Sequence, residues 1–480
     1  MRPLSHLTVL DLSRVLAGPW CTQHLADLGA TVVKVERPGQ GDDTRAWGPP
    51  YLKDGAGRDT SEAAYYLSCN RGKRSVAVDF TTPDGQAIVR ELARDADVVV
   101  ENYKVGGLAK YGLDYPSLAV LNPRLVYCSI TGFGQDGPYA ERAGYDFIIQ
   151  GMSGFMSVTG ERDDRPGGGP QKAGIAITDL TTGLFAATGI LAALAERERT
   201  GRGQHIDACL FDSAVSMMAV MDMNYLVTGR APGRFGNAHP NIVPYEVFAC
   251  ADGHLILAVG NDSQFAKFCE AAGVPQWAAD PRFTKNADRV RHRETLLPMV
   301  AEVVRTKRQR EWLDLLEPLG VPCGPINTLD QVFAEPQLAA RGMRFDLPHP
   351  LAGAVPPTAA GLLAGVAAGP WPALPAASPI WLQFTITRTR EQRRFDQRAK
   401  IRTTSVYQTG GFVCGQKSRY RFICIFKRPY SPPCGVIAHK AVMKSAVQDS
   451  LENSQDAVGR GFARALFVRG QGLVTECLLR

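Results

Sequence analysis

The first 135 residues alternate two kinds of segment, and this alternation limits the fold more than any other feature of the chain. Short apolar runs, "LTVLDLS", "TVVKVERP", "SVAVDF", "DVVVENY" and "RLVYCSITGFG", are separated by segments of helical pattern such as "CTQHLADLGA" and "GQAIVRELARDA". Apolar strands that alternate with helices are buried on both faces, which predicts an α/β fold with a parallel, doubly wound sheet. Glu36 closes the second strand, where a ribose-binding acid would stand in a dinucleotide fold. The first turn, however, reads "SRVLAGPW" and lacks G-x-G-x-x-G, so NAD binding is set aside.

The segment "AGIAITDLTTGLFAATGILAALAERERTGRGQ", residues 173–204, predicts a long helix. Small and apolar residues run from Leu180 to Leu194, the Glu196 to Arg199 charges follow, and Gly201 stops it. Asp179 falls in its first turn. Thr178 or Asp179 could cap the helix there. The same position suits a nucleophile, because a helix N-terminus favours negative charge and would keep a buried carboxylate ionised and aimed.

Beyond this helix come a strand, "GQHIDACLF", and a methionine-rich stretch, "SAVSMMAVMDMNYLV", read as one helix whose methionines fill a core or an interface. "PYEVFACADGHLILAVGNDSQFAKFCEAAG" predicts a strand pair turning at Asp252-Gly253 and then a helix, and "LLPMVAEVVRTKRQREWLDLLEPLG" a helical hairpin. The expected organisation is a large α/β domain over residues 1–215, a linker and smaller α+β domain over 216–330, and a return toward the large domain over 331–357. Residues 358–480 form an atypical basic tail, Ala/Gly/Pro-rich at first and then without clean periodicity, and are expected to be disordered or aberrant.

The net charge of +7 averages two unlike regions. Residues 371–480 carry 18 lysines and arginines against 6 acids, whereas residues 1–370 carry 36 against 41. The eleven cysteines contain no C-x-x-C pair and no Cys/His cluster at zinc spacing, so neither a disulfide framework nor a metal site is expected. The start shows no cleavable leader, and no stretch is read as long enough to span a membrane. The expectation is a soluble cytoplasmic protein without a membrane or nucleic-acid partner.

Six blocks in order, "VLDLSRVLAGPWCTQHLADLGATVVKVERPGQGDDTRAWGPPY", "NRGKRSVAVDF", "VVVENYKVGGL", "YCSITGFGQDGPYAERAGYDF", "AITDLTTGLFAATGILAAL" and "AHPNIVPYEVF", resemble the family III CoA-transferases, also called the CaiB/BaiF family. The resemblance covers roughly residues 5–357. "GDDTRAWGPPY" and "AHPNIVPYEVF" are most like its succinyl-CoA:glutarate branch.

The resemblance implies a CoA-transferase that moves CoA from an acyl-CoA, succinyl-CoA in particular, to a small dicarboxylic acid. CoA and its esters would be substrates, with no bound cofactor and no metal, and the chain would form an interlocked homodimer. The aspartate that opens the D-x-x-x-G block is the family's acyl acceptor, which here is Asp179, with Gly183 one turn later. A carboxylate attacks a thioester to give a mixed anhydride and a CoA thiolate, which splits the exchange into easier steps. The family's mobile loop corresponds to "VGNDS", with Gly260 and Asn261; a loop turn with no catalytic role is the alternative. Arg37, Lys73, Arg74 and Asn102 lie in blocks that resemble the CoA-binding ones, where phosphates need fixed cations and backbone donors; solvated surface roles are the alternative. Arg45 and His239, with Tyr145 nearby in sequence to the fourth block's acid, are the expected acceptor-side residues. Leu16 replaces a glutamine of formyl-transferring members, which argues against formate and oxalate chemistry.

Two alternatives stand beside this reading. Related α-methylacyl-CoA racemases carry a "GHD" histidine where this chain reads "GYDF", with Tyr145 and Asp146. A tyrosine, with an ordinary pKa near 10, is a poor base at neutral pH, which favours transfer. The other is an inactive CoA-binding protein that uses its basic tail, and the tail holds no recognisable nucleic-acid module. The "PP-x-x-G-x-H" block that ends family members is missing, which puts the dimer threading in question.

Overall fold

A computed structural model describes residues 2–355 and six short strands between residues 384 and 479. Apart from those strands, the expectations for residues 358–480 lie outside the described residues. The chain forms two units, one from Met1–Ile130, Gly183–Asp207 and Gly342–Arg480, the other from Thr131–Thr182 and Ala208–Arg341.

The first unit is built on β1 (Thr8–Asp11), β2 (Thr31–Glu36), β3 (Lys73–Ala77), β4 (Val98–Glu101) and β5 (Val126–Thr131), which pair in parallel in the order β3-β2-β1-β4-β5. β6 (His205–Cys209) follows β5 at one edge, and Phe384–Thr387 pairs in parallel with β3 at the other. This is the expected parallel α/β sheet. β4 is buried along its whole length because helices cover both faces, and that is why its sequence runs Val-Val-Val without alternation. α1 (Ala17–Asp27) follows β1, and α2 (Pro83–Arg94) starts where the Thr82 hydroxyl accepts the Gly85 N–H and Pro83 presets the first helical turn. One core cluster gathers Leu10, Val35, Val89, Val99, Leu118 and Tyr127. Each such side chain contributes about 1.5–3 kcal/mol by burial. The sheet order reverses at β1, so the crevice outside the carboxyl ends of β1 and β4 is its topological switch point, where open sheets of this kind bind ligands.

In the second unit, α3 (Asp146–Met152) precedes α4 (Ile177–Thr200), whose first residues belong to this unit and whose remainder belongs to the first. At 24 residues and with a mean hydropathy of 1.5 over its most apolar window, α4 is long and apolar enough to cross a bilayer, which corrects the sequence reading that no stretch was. The closing Glu-Arg-Glu-Arg run obscured its length. Ala186, Ile190 and Ala193 are buried on one side at helical spacing, the mark of a packing helix.

The methionine-rich stretch is two helices rather than one. α5 (Leu210–Met218) and α6 (Val220–Thr228) break at Ala219, whose φ of +45° cannot continue a right-handed helix. β7 (Tyr245–Cys250) and β8 (Gly253–Ala258) form the expected antiparallel pair, with Gly253 opposite Cys250. α7 (Asp262–Ala271), α8 (Arg293–Val304) and α9 (Gln309–Leu316) supply the helix and helical hairpin read from the sequence. They share a core of Phe248, Leu255, Phe265, Phe268, Trp312 and Leu316.

Candidate active site

Asp179 stands in the first turn of α4, as the sequence predicts, but neither it nor Thr178 caps the helix. The cap is Asp146 at the start of α3. Its Oδ1 accepts the N–H of Thr178 at 2.8 Å, the Thr178 hydroxyl at 2.7 Å and the N–H of Asp179 at 3.4 Å. Its Oδ2 accepts the Gln150 amide at 2.6 Å, and Gln150 in turn accepts the Ala173 N–H at 2.8 Å. Gln150 and Thr178 are fully buried. One network therefore orients the first turn of α4 and leaves the half-buried Asp179 carboxylate with no hydrogen bond among the described residues. In the sequence Asp146 stands out only as the residue after Tyr145, because a cap 33 positions away has no local sequence signature.

A pair of glycines delivers Asp146 to this place. A Cβ on Gly132 would lie 2.6 Å from Gly144 Cα, and one on Gly144 would lie 2.5 Å from Gly132 Cα, so the chain after β5 touches the chain before α3 backbone to backbone. This contact gives the "TGFG" and "AGYD" blocks a physical basis. On the other side of Asp179, a Cβ on Gly183 would sit 2.7 Å from the Ala17 carbonyl oxygen and 3.1 Å from Trp20 Cδ1. Glycine at this position lets α4 lie against the start of α1.

Burial pushes the Asp179 carboxyl up to about 7, and the Asp146 charge beside it adds to the shift. Burial and the Asp146 charge thus act against the expectation that the helix N-terminus keeps Asp179 ionised. A group poised near neutrality exists as carboxylate and acid in comparable amounts.

The other expected site residues occupy distinct settings. Gly260 directs its N–H at Gln264 Oε1, 2.8 Å away, and Asn261 caps α7 by accepting the Gln264 N–H at 2.9 Å. Tyr145 is exposed immediately before α3. Lys73 is no free cation. Its buried ammonium donates to Asp11 Oδ2 at 3.0 Å, Asn70 Oδ1 at 2.9 Å and the Pro19 carbonyl at 2.8 Å, which uses all three protons. Burial alone would raise the Asp11 carboxyl, but Lys73 and Lys34 hold it down at about 2. The expected phosphate contact at Lys73 is thus replaced by an internal ion pair. Arg74, next along β3, points the opposite way and is exposed. Arg37 is exposed as well and donates to Gln40. Parallel register puts Arg74 opposite Val33, four residues before Arg37. At about 3.3 Å per residue their backbone positions lie about 13 Å apart along the sheet.

Asn102 faces the β1–α1 loop, where its Oδ1 accepts the Arg14 N–H at 2.8 Å and its Nδ2 donates to the Arg14 carbonyl at 2.6 Å. Arg45 donates to both oxygens of Glu36, at 2.7 and 2.8 Å, and stacks on Tyr66, so the cation expected to meet an acceptor carboxylate is already neutralised. The same pairing commits Glu36. His239 accepts the Asn241 N–H through Nδ1, and burial with the nearby Arg293 pushes its pKa below the ordinary histidine value, so it is neutral at pH 7. Cations do gather next to it, in a cavity of about 120 Å³ where Arg162, Arg165 and Arg293 face Glu161 and Glu246. Arg293 holds the His239 carbonyl at 2.9 Å.

Comparison with known proteins follows the same lines. The sequence pattern of CoA-transferase family III matches residues 4–379. The chain is 55% identical to the succinate--glutarate CoA-transferase of Agrobacterium fabrum over 345 residues, covering 72% of this chain and 85% of that one. It is 43% identical to the human succinyl-CoA:glutarate CoA-transferase over 355 residues, covering 74% and 78%. The crystal structure of a CaiB/BaiF family protein from Brucella suis superposes with a TM-score of 0.65 at 51% identity, covering 75% of this chain and 92% of that one.

Proposed function

This chain belongs to CoA-transferase family III, and from that premise we propose that it moves CoA from succinyl-CoA to a small dicarboxylic acid, glutarate foremost, with Asp179 as the acyl acceptor. The observation that carries the assignment of Asp179 is its carboxylate, positioned by the Asp146 cap yet engaged, among the described residues, by no hydrogen bond of its own. The Asp179 oxygen attacks the thioester carbonyl, the C–S bond breaks, and a mixed anhydride and CoA thiolate result. The thiolate then attacks the Asp179 carbonyl, which releases the donor acid and leaves an aspartyl-CoA thioester. The acceptor carboxylate repeats both steps in reverse, so that CoA leaves on the acceptor and Asp179 is restored. Each step develops an oxyanion, for which the Gly260 N–H, exchanging its present Gln264 partner, is the proposed donor.

CoA and its esters are substrates here. Among the described residues no group of three or more His, Cys, Asp and Glu could hold a metal ion. Placement in the cytoplasm, where thiols stay reduced, is part of the same proposal. We propose in addition that the chain pairs with a second copy of itself. Leu184, Phe185 and Leu191 on α4 and, in the other unit, Met223, Leu226 and Val227 on α6 are exposed large apolar side chains of the kind a partner copy would cover. Light scattering on the eluted protein should give twice the chain mass, and a monomer mass would contradict the pairing. For the reaction, incubation with succinyl-CoA and a panel of glutarate, itaconate, mesaconate, citramalate, oxalate and carnitine, read by mass spectrometry, should yield a new dicarboxylyl-CoA. Absence of any new ester from an intact, folded protein would contradict the substrate assignment.

A further inference from the structure

Among the described residues only two other than glycine have positive φ, and one of them is Val15, at +71° in the loop between β1 and α1. For a β-branched residue this left-handed conformation is strongly disfavoured and persists only where the surroundings impose it. Here they do so at consecutive residues. The Ser13 carbonyl accepts the Lys34 ammonium at 2.7 Å. Arg14 has both its N–H and its carbonyl taken by Asn102. The Val15 N–H reaches both oxygens of Asp42, each at 3.3 Å. Lys34 and Asp42 are themselves ion-paired at 2.9 Å with both side chains 1% exposed, and Asp42 also accepts the N–H and hydroxyl of Thr44. The loop is thus clasped from β2, from the segment after β2 and from the end of β4. It lies directly after β1, and Asn102 directly after β4, so the clasp closes on the switch-point crevice described above.

We infer that the Lys34–Asp42 pair and Asn102 hold Val15 in its strained conformation so that residues 13–16 form a preset rim for the CoA ester, which makes Val15, Asp42 and Asn102 positioning residues for the transfer. The inference rests on the CoA-transferase reading. It also revises the role of Asn102, whose amide is committed to the Arg14 backbone, from contacting the ester to shaping the wall that does. The strained geometry is maintained by buried charge, and it leaves Leu16, at the head of α1, buried.

Val15→Ala and Val15→Gly separate strain from side-chain loss, since both remove the methyls but only glycine accepts φ of +71° freely. At an unstrained site glycine melts below alanine, because its unfolded chain has more freedom to lose. Here Val15→Gly should melt no lower than Val15→Ala, yet raise KM for succinyl-CoA about tenfold above it, as a loosened rim requires. Asp42→Asn should raise KM in the same direction, and titration with CoA alone should weaken in parallel. Equal KM and equal CoA affinity for the two Val15 variants would overturn the inference, as would a Val15→Gly protein that melts below Val15→Ala. Those outcomes are distinguishable from failure of the functional reading, in which the wild-type chain would neither bind CoA nor turn over its ester, and the inference would fall with it.

Discussion

Asp146 Oδ1 accepts the backbone N–H of Asp179 at 3.4 Å, so one carboxylate caps the helix that presents another. The arrangement has two opposed effects. It orders the first turn of α4 and frees the Asp179 side chain from capping, and it sets a like charge beside Asp179 that helps to hold its proton.

Replacement of Asp146 separates these effects. Asp146→Asn keeps an acceptor oxygen for the Thr178 and Asp179 N–H groups but removes the charge, so the rising limb of kcat/KM against pH should move to lower pH with little loss of stability. Asp146→Ala removes the cap, at about 1 kcal/mol, and leaves the buried Thr178 hydroxyl only its 3.5 Å contact with the residue-146 carbonyl, so it should destabilise more than Asp146→Asn. Thermal melts read beside the pH profiles check both outcomes.

Asp179 should act as the carboxylate, so kcat/KM should rise with pH through about 7. Stability should show the opposite trend. A carboxyl whose folded pKa is raised binds its proton more tightly in the folded state than in the unfolded chain, where it titrates near 4. Stability associated with that proton is complete below about 4 and is lost as pH rises through about 7. Asp179→Asn should therefore be inactive and should melt above wild type by a wider margin at pH 8 than at pH 5.

The two glycines within α4 should respond to alanine with opposite signs. A Cβ at Gly189 meets Ile206 at an ordinary 3.4 Å, so Gly189→Ala should stabilise the helix by up to about 1 kcal/mol. At Gly183 the Cβ would lie 2.7 Å from a backbone oxygen, and Gly183→Ala should instead cost about 1–3 kcal/mol. Denaturant midpoints of the two variants test the contrast.

Lys73 and Arg74, neighbours in sequence, should separate in experiment. Lys73→Met breaks a buried pair and leaves Asp11 short of a partner, which costs about 3–5 kcal/mol. Arg74→Ala, on the surface, should change stability by no more than about 0.5 kcal/mol, and any rise it causes in KM for the CoA ester should shrink as salt is added. A Lys73→Met protein that melts like wild type would contradict the internal role.

Much of this architecture was legible because it depends on local pattern. The strand and helix alternation gave the parallel sheet, Asp252-Gly253 marked the β7–β8 turn, and the apolar run after Leu180 put Asp179 in a first turn. Relations between distant residues were not legible. Asp146 acts across 33 positions, and Lys73 looked like a phosphate ligand because its burial depends on Asp11, 62 positions away. Arg45 likewise gave no sign of its commitment to Glu36. The left-handed conformation at Val15 was hidden for another reason, since a valine there carries no signature of the kind a glycine would. Ala219 ended a helix in a stretch whose composition favours continuing one.

The most direct test of the central claim is the mass of the peptide containing Asp179 after the protein is quenched in the presence of succinyl-CoA alone. The expected result is a peptide carrying CoA in thioester linkage at Asp179, discharged by glutarate to glutaryl-CoA and absent in Asp179→Asn. CoA attached to a different residue, or full transfer activity retained by Asp179→Asn, would contradict the assignment of Asp179 as the acyl acceptor.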